Sequence, residues 1–216
     1  MMQLLPILLL LALPQVLCSQ QDSSDFRRLQ IGLVGGEWRH FVDFTPTVDV
    51  LTLTGRSYGV AVRYFDKQLV GFQAELTHAG SGWRENYGDG VYERRIDYAE
   101  LQLLTQFSVG RGVVQPMLQL GPYLSVPLTD TEVLPAGFDP DLEPDNTYRG
   151  RELPFRLNYG LRAGLGFNIE AGPLTLQADG RILQGFSNLL KPGESQVATS
   201  IRQGYGAHVA LFYAIR

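Results

Sequence analysis

An eight-stranded antiparallel up-and-down β-barrel is the fold class this sequence predicts. Three observations carry it: two-residue alternation of apolar and polar side chains, recurrence of that alternation in eight segments, and connections that alternate between short and long.

The alternation is cleanest from Arg156 to Glu170. Leu157, Tyr159, Leu161, Ala163, Leu165, Phe167 and Ile169 share one face, while Arg156, Asn158, Gly160, Arg162, Gly164, Gly166, Asn168 and Glu170 share the other. A period of two places successive side chains on opposite faces of a strand, and no amphipathic helix has that period. In chain order, the first segment lies near Leu29 to Val34. The next two set Tyr58, Val60, Val62 and Tyr64 against Gly59, Ala61 and Arg63, then Val70, Phe72, Ala74 and Leu76 against Gly71, Gln73, Glu75 and Thr77. Further on, Ala99, Leu101, Leu103 and Phe107 oppose Tyr98, Glu100, Gln102 and Gln106, and Leu118, Leu120, Leu124 and Val126 oppose Met117, Gln119, Gly121, Tyr123 and Ser125. After the Arg156 to Glu170 run come Leu174, Leu176 and Ala178 against Thr175, Gln177, Asp179 and Arg181. The last segment runs from Gly204 to Ile215.

Links after the second, fourth and sixth segments are short: Asp66-Lys67-Gln68, Gly110-Arg111-Gly112 and Ala171-Gly172-Pro173. Links after the first, third, fifth and seventh are long: Glu37 to Arg56, Gly80 to Tyr92, Pro127 to Pro154 and Gly185 to Ser200. Tight turns at one end and long loops at the other are the arrangement of a transmembrane barrel of the bacterial outer membrane.

Alternation does not say which face is inside, since a soluble lipocalin-like barrel has an apolar interior. Glycine position decides it: Gly59, Gly71, Gly121, Gly160, Gly164, Gly166, Gly204 and Gly206 all share the polar face. Small residues relieve crowding inside a narrow barrel, whereas a solvated exterior has no need of them. The polar face is therefore expected inside and the Leu, Val, Tyr and Phe face in lipid. The interior then holds Arg63, Arg156, Arg162 and Arg181 against Glu75, Glu100, Glu170 and Asp179. This sign balance is expected to form ion pairs that fill the lumen, because an unpaired charge there is costly, and a selective ion pore would carry one sign.

The start of the chain fits export. Leu4 to Leu13 is nearly all apolar, and Pro14, Gln15 and Cys18-Ser19 follow. This is a secretory signal pattern, and the run is too short for a spanning helix, which needs roughly 20 apolar residues. Residues 1–19 are expected to be a signal peptide and 20–216 the barrel domain. Cys18 is the lone cysteine, so cleavage after it leaves no thiol for disulfide, nucleophile or metal chemistry. A net charge of -4 gives no basic footprint for nucleic acid.

Several segments resemble the small outer-membrane β-barrel proteins common in Bacteroidota, including the PorT-like group. They are Phe72 to Thr77 leading to a Gly-Ser-Gly loop, Ile96 to Leu101, Gln115 to Tyr123, Gly160 to Asn168 and Gly180 to Leu189. The resemblance implies a barrel in the outer membrane and supplies no catalytic residue. One departure is the final Ala214-Ile215-Arg216, where such barrels commonly end on an aromatic residue.

Candidate chemistry is sparse. His40, His78 and His208 show no metal-ligand spacing, and His208 is read as a hydrogen-bonded interior histidine. His40 lies near Asp43 and Ser57, the residue types of a hydrolase or lipid acyltransferase triad, but such residues are common in loops. Asp139, Asp141, Glu143 and Asp145 alternate in a proline-stiffened loop that lacks the glycine turn of a calcium-binding loop. Trp38, Trp83, Tyr87 and Tyr92 are read as interface-belt aromatics. The expectation is an outer-membrane barrel with a filled lumen and long external loops, structural or interactive in role, with no catalytic residue, cofactor or metal. A narrow pore is the alternative, and a lipid A-modifying enzyme the more distant one. The partners implied are outer-membrane lipid, the barrel-assembly machinery during insertion and an envelope protein met through the loops.

Overall fold

The computed structural model describes residues 28–215 except 68, 89, 111, 154–156 and 193, so the expected signal peptide and Arg156 lie outside the described residues. The strands are β1 (Leu29–Thr45), β2 (Val50–Leu51), β3 (Leu53–Lys67), β4 (Val70–Tyr87), β5 (Gly90–Ser108), β6 (Val114–Val133), β7 (Asn158–Ala171), β8 (Leu174–Asn188) and β9 (Thr199–Ile215). Each long strand pairs antiparallel with the next, and β9 returns to β1 from Leu29↔Ile215 to Thr45↔Thr199. The sheet is therefore a ring of eight long strands with no open edge, which satisfies every ladder position that lipid would leave unpaired. The two-residue β2 prolongs the line of β3 beyond a break at Thr52 and pairs with Arg84 and Glu85 of β4.

The link between β7 and β8 is a tight turn, in which Gly172 adopts a φ of 61°. The opposite end differs from expectation. Gly80 to Tyr92 is not a long loop: β4 and β5 stay paired from Gly80↔Asp97 to Tyr87↔Gly90 and close in a hairpin at Gly88, whose φ of 55° favours glycine. Glu37 to His40 likewise pair with Leu53 to Arg56. A tilted spanning strand needs about 9–11 residues, whereas β4 has 18 and β6 has 20. The wall therefore continues beyond the membrane, and the alternation fades there because an outer wall in water no longer has to be apolar.

The outer face carries a continuous apolar band, including Leu33, Val60, Leu76, Leu103, Leu118, Leu165, Val209 and Leu211, all exposed. An apolar surface of that extent on a closed sheet is a lipid-facing surface. Tyr58, Tyr159, Phe186 and Tyr205 border the band toward the loops, and Tyr64, Phe107, Phe167 and Tyr213 toward the turns. These are the interfacial aromatics. Trp38, Trp83 and Tyr92 are not: all three are buried inside the barrel. Their parity requires it, since Trp38 shares the inward register of Gln30 and Val34, Trp83 that of Glu75, and Tyr92 that of Glu100.

Leu165, 71% exposed at the middle of β7, provides a test of the membrane face. Leu165→Arg is expected to destabilise the barrel by about 2–4 kcal/mol, the cost of a cation on the lipid face near mid-bilayer. Leu165→Phe is expected to be close to neutral. Reversible urea unfolding in lipid vesicles measures both, and equal stability of the two variants contradicts a lipid-facing Leu165.

Candidate functional site

The site is the lumen. Its side chains are supplied by the inward register of all eight long strands and stack in layers from the loop end to the turn end.

At the loop end, Val42, Phe44, Trp83, Tyr92, Ile96, Tyr98, Tyr148, Leu189, Leu190 and Val197 form a buried apolar cap. Tyr148 enters from the long loop between β6 and β7 and lies face to face with Phe44, with ring centroids 5.7 Å apart. It meets Trp83 and Tyr92 edge-on. Level with the Tyr92 ring, Glu85, fully buried, accepts hydrogen bonds from Trp83 Nε1 at 2.6 Å, Tyr148 Oη at 2.5 Å and Arg149 Nη2 at 2.8 Å. On the neighbouring strand Arg94 reaches Asp130 at 2.5 Å and Glu132 at 3.4 Å, and it donates to the carbonyls of Tyr148 and Arg151. The loop is thus latched into the mouth by one tyrosine and two arginines.

The next layer centres on Glu100, which accepts from Arg162 at 2.6 Å, Arg202 at 3.0 Å and Ser125 at 2.7 Å. Arg162 lies over the Trp38 ring at 4.4 Å and Arg202 over the Tyr98 ring at 4.6 Å. Between the two guanidiniums stands Tyr123, 5.4 and 5.8 Å from them. A Cβ at Gly160 would fall 2.8 Å from the Tyr123 ring and 2.1 Å from the Gln184 carbonyl, so glycine there makes room for the ring.

Below it Arg181 holds Glu75 in a two-pronged pair, both contacts 2.9 Å, and Asp179 through Nε at 2.5 Å. Gln102 and Gln119 accept from the same guanidinium. His208 stands 3.7 Å from both Glu75 and Asp179. Toward the turns, Arg63 is buried without a carboxylate contact among the described residues. It donates to the amide oxygens of Gln30, Gln106, Asn168 and Gln177 and lies 4.1 Å over the Phe212 ring.

Of the residues singled out from the sequence, Glu75, Glu100, Arg162, Asp179 and Arg181 therefore come together. Arg63 sits among amides rather than carboxylates. Glu170 is exposed, near the end of β7 where the strand meets the turn; it touches no cation among the described residues and acts on Arg63 only through the field of its charge. Its parity is inward, but the ring ends there and water reaches the side chain. Arg202, Arg94 and Glu85 were not anticipated, although Arg202 has the inward parity of Gly204 two residues on. His40 and Ser57 point inward, Ser57 accepting from Trp38 Nε1 at 3.1 Å, while Asp43 is exposed. Asp43 and His40 differ by an odd step on one strand and face opposite ways, so no triad is assembled from them. Glu143 of the acidic loop turns to Tyr87, Thr147 and Arg149. No group of three potential metal ligands gathers among the described residues.

The model of the outer membrane protein beta-barrel domain matches residues 18–191. The chain belongs to that family. This outer-membrane barrel is similar in structure to Neisserial surface protein A, at 11% identity over 86% of this chain and 97% of that one, TM-score 0.48. It is similar to OprG of Pseudomonas aeruginosa, at 11% identity over 87% and 96%, TM-score 0.48. A further likeness is Ail of Yersinia pestis, at 11% over 86% and 99%, TM-score 0.44. No curated protein sequence matches the chain.

The electrostatics of the outer-membrane barrel differ between its latch and its core. In the latch, burial pushes the Glu143 carboxyl upward, but hydrogen bonds from Tyr87 and Thr147 and the Arg149 guanidinium outweigh it and hold the group below the ordinary carboxylate range. A carboxylate depressed in the fold stabilises it above the unfolded value, near 4.3, and loses that contribution as pH falls through the folded value. Acidification below about pH 4 is therefore expected to loosen the latch. Near-ultraviolet circular dichroism of the Phe44, Trp83 and Tyr148 cluster should diminish while the far-ultraviolet strand signal persists. In Glu143→Gln the cluster should already be looser at pH 7 and this acid transition absent.

In the core the cost lies in breaking a pair rather than in lacking one. Glu100→Leu strands two buried guanidiniums, and removing one side of a buried pair costs about 3–5 kcal/mol. Glu170→Gln changes an exposed side chain and is expected to stay within about 0.5 kcal/mol of wild type. Equal losses in the two variants, read by urea unfolding, would return Glu170 to the buried network.

Proposed function

We propose that this chain is a closed-lumen outer-membrane barrel that acts as a structural or interaction protein of the cell envelope, presenting its loop end to the outside. One observation carries the reading: side chains occupy the lumen at every level, from the Tyr148 cap through the Glu100 and Arg181 layers to the amides around Arg63. Ions crossing it would have to displace paired guanidiniums and carboxylates, each of which loses several kcal/mol when unpaired in a low-dielectric space.

The loop end supports the interaction part. A cleft of about 520 Å³ opens there, lined by Arg94, Tyr148, Arg151, Leu153, Leu190 and Lys191, among others, offering both charge and apolar surface. An envelope protein is the partner class this reading names, after residues 1–19 are removed as a signal peptide and the assembly machinery inserts the barrel. Within the family, the segments quoted above favour the PorT-like group of Bacteroidota. The reading assigns the chain no catalytic step.

Planar bilayer recording of the refolded barrel tests it. Little or no conductance at neutral pH is expected. Stable, large, ohmic channels would overturn the closed lumen and bring forward a narrow pore for a small solute.

A further inference from the structure

We infer that the Glu100 layer of the lumen holds one small monovalent anion of chloride size, bound by Arg162, Arg202 and Tyr123. The starting point is a contrast between two layers of one barrel. Arg181 uses Nε and both terminal nitrogens, on Asp179, Glu75, Gln102 and Gln119. Arg162 and Arg202 are as deeply buried, yet each reaches Glu100 through a single nitrogen. Nε and Nη1 of Arg162, Nε and Nη2 of Arg202 and the Tyr123 hydroxyl are buried with no hydrogen-bond partner among the described residues.

These groups belong to one place. Both guanidiniums flank the Tyr123 ring, and Arg162 also covers Trp38. The layer carries two guanidiniums and one carboxylate, an excess of one positive charge. The next layer, Arg181 against Glu75 and Asp179, carries the opposite excess, so the two layers together are neutral; its carboxylates are nevertheless not free to accept from Arg162 or Arg202. Glu75 is taken by Arg181 and Gln73, and Asp179 by Arg181 and Gln177.

Water is the competing occupant, and the inventory of unpartnered atoms decides between them. Guanidinium nitrogens only donate, and a tyrosine hydroxyl has a proton to give. Glu100, the layer's acceptor, already takes three donors. A water must donate its own two protons somewhere, and this layer offers few acceptors. An anion accepts only, and it can take the free donors of both guanidiniums and the Tyr123 hydroxyl together.

The test uses the folded full chain in detergent, crystallised with sodium bromide in place of chloride, and anomalous diffraction at the bromine edge. An anomalous peak against the free nitrogens of Arg162 and Arg202 is expected, while density there without anomalous signal is water and overturns the inference. In Arg202→Gln, which removes two of the free guanidinium donors, the peak should vanish, and its persistence overturns the site as assigned. Should that variant not fold, a solution measurement on wild type decides as well. The urea midpoint should rise with the logarithm of chloride or bromide concentration relative to gluconate at equal ionic strength, and identical midpoints in the three salts overturn the site.

Discussion

A ring of eight strands is too narrow to hold water as a channel and too wide to stay empty, so its interior must be filled by its own side chains. That constraint governs the rest of the structure. Because the outer face is given over to lipid, the filling residues alternate with apolar ones along every strand. Because they alternate, they are largely polar, and buried polar groups must find partners. The result is the layered interior: Glu100 between two arginines, Arg181 across Glu75 and Asp179, and Arg63 among four amides. Glycine enters for the same reason, at positions such as Gly160 where a Cβ would collide with both a neighbouring carbonyl and an aromatic side chain.

Closure at the mouth follows from a second consequence of the same geometry. The strands continue beyond the apolar band, and the inward register continues with them, but the lining changes from charged to aromatic, with Trp83, Tyr92 and Tyr98 at the top. An aromatic collar exposed to water is unfavourable, and the loop between β6 and β7 covers it with Tyr148. Glu85 is what makes that cover specific. It accepts from a tryptophan of the wall and from Tyr148 and Arg149 of the loop, so the loop side chains complete a buried carboxylate's hydrogen bonding as well as an apolar contact.

The sequence revealed the fold wherever lipid imposed alternation, and became uninformative where lipid ended. The eight strands, the tight turns and the inward set of Glu75, Glu100, Arg162, Asp179 and Arg181 were all legible. The hairpin of β4 and β5 above the band was not. Gly80 to Tyr92 contains Gly, Ser, Arg, Glu and Asn on a wall in water, where pairing persists without an apolar stripe. Trp38 and Trp83 are interior although their residue type suits an interface belt, because strand parity decides the face and both lie in inward register. Glu170 is exposed although its parity is inward, since parity holds to the last residue of a strand whereas burial does not. The partners of Arg63 lay beyond sequence, because Gln30, Asn168 and Gln177 reach it across the lumen from other walls.

A barrel interior of apolar side chains would avoid the desolvation cost that ion pairs carry, and buried ion pairs are weak evidence for stability on that account. Their value here lies in register. Side chains on a strand have a period of two, so a slip of one residue exchanges the inner and outer faces of the whole strand. For β7 such a slip would put Arg162 into lipid and Leu161 and Leu165 into the lumen. A cation near mid-bilayer costs about 2–4 kcal/mol, and the slip would also leave Glu100 without its closest partner at 2.6 Å. On β8 the same slip would carry Arg181 and Asp179 outward together. An interior as apolar as the exterior would make the two registers nearly equal in energy, and the strand would have no preferred face. The charged lumen thus separates the correct barrel from its inverted neighbours by several kcal/mol at each strand that carries it, whatever its net contribution to the folded state.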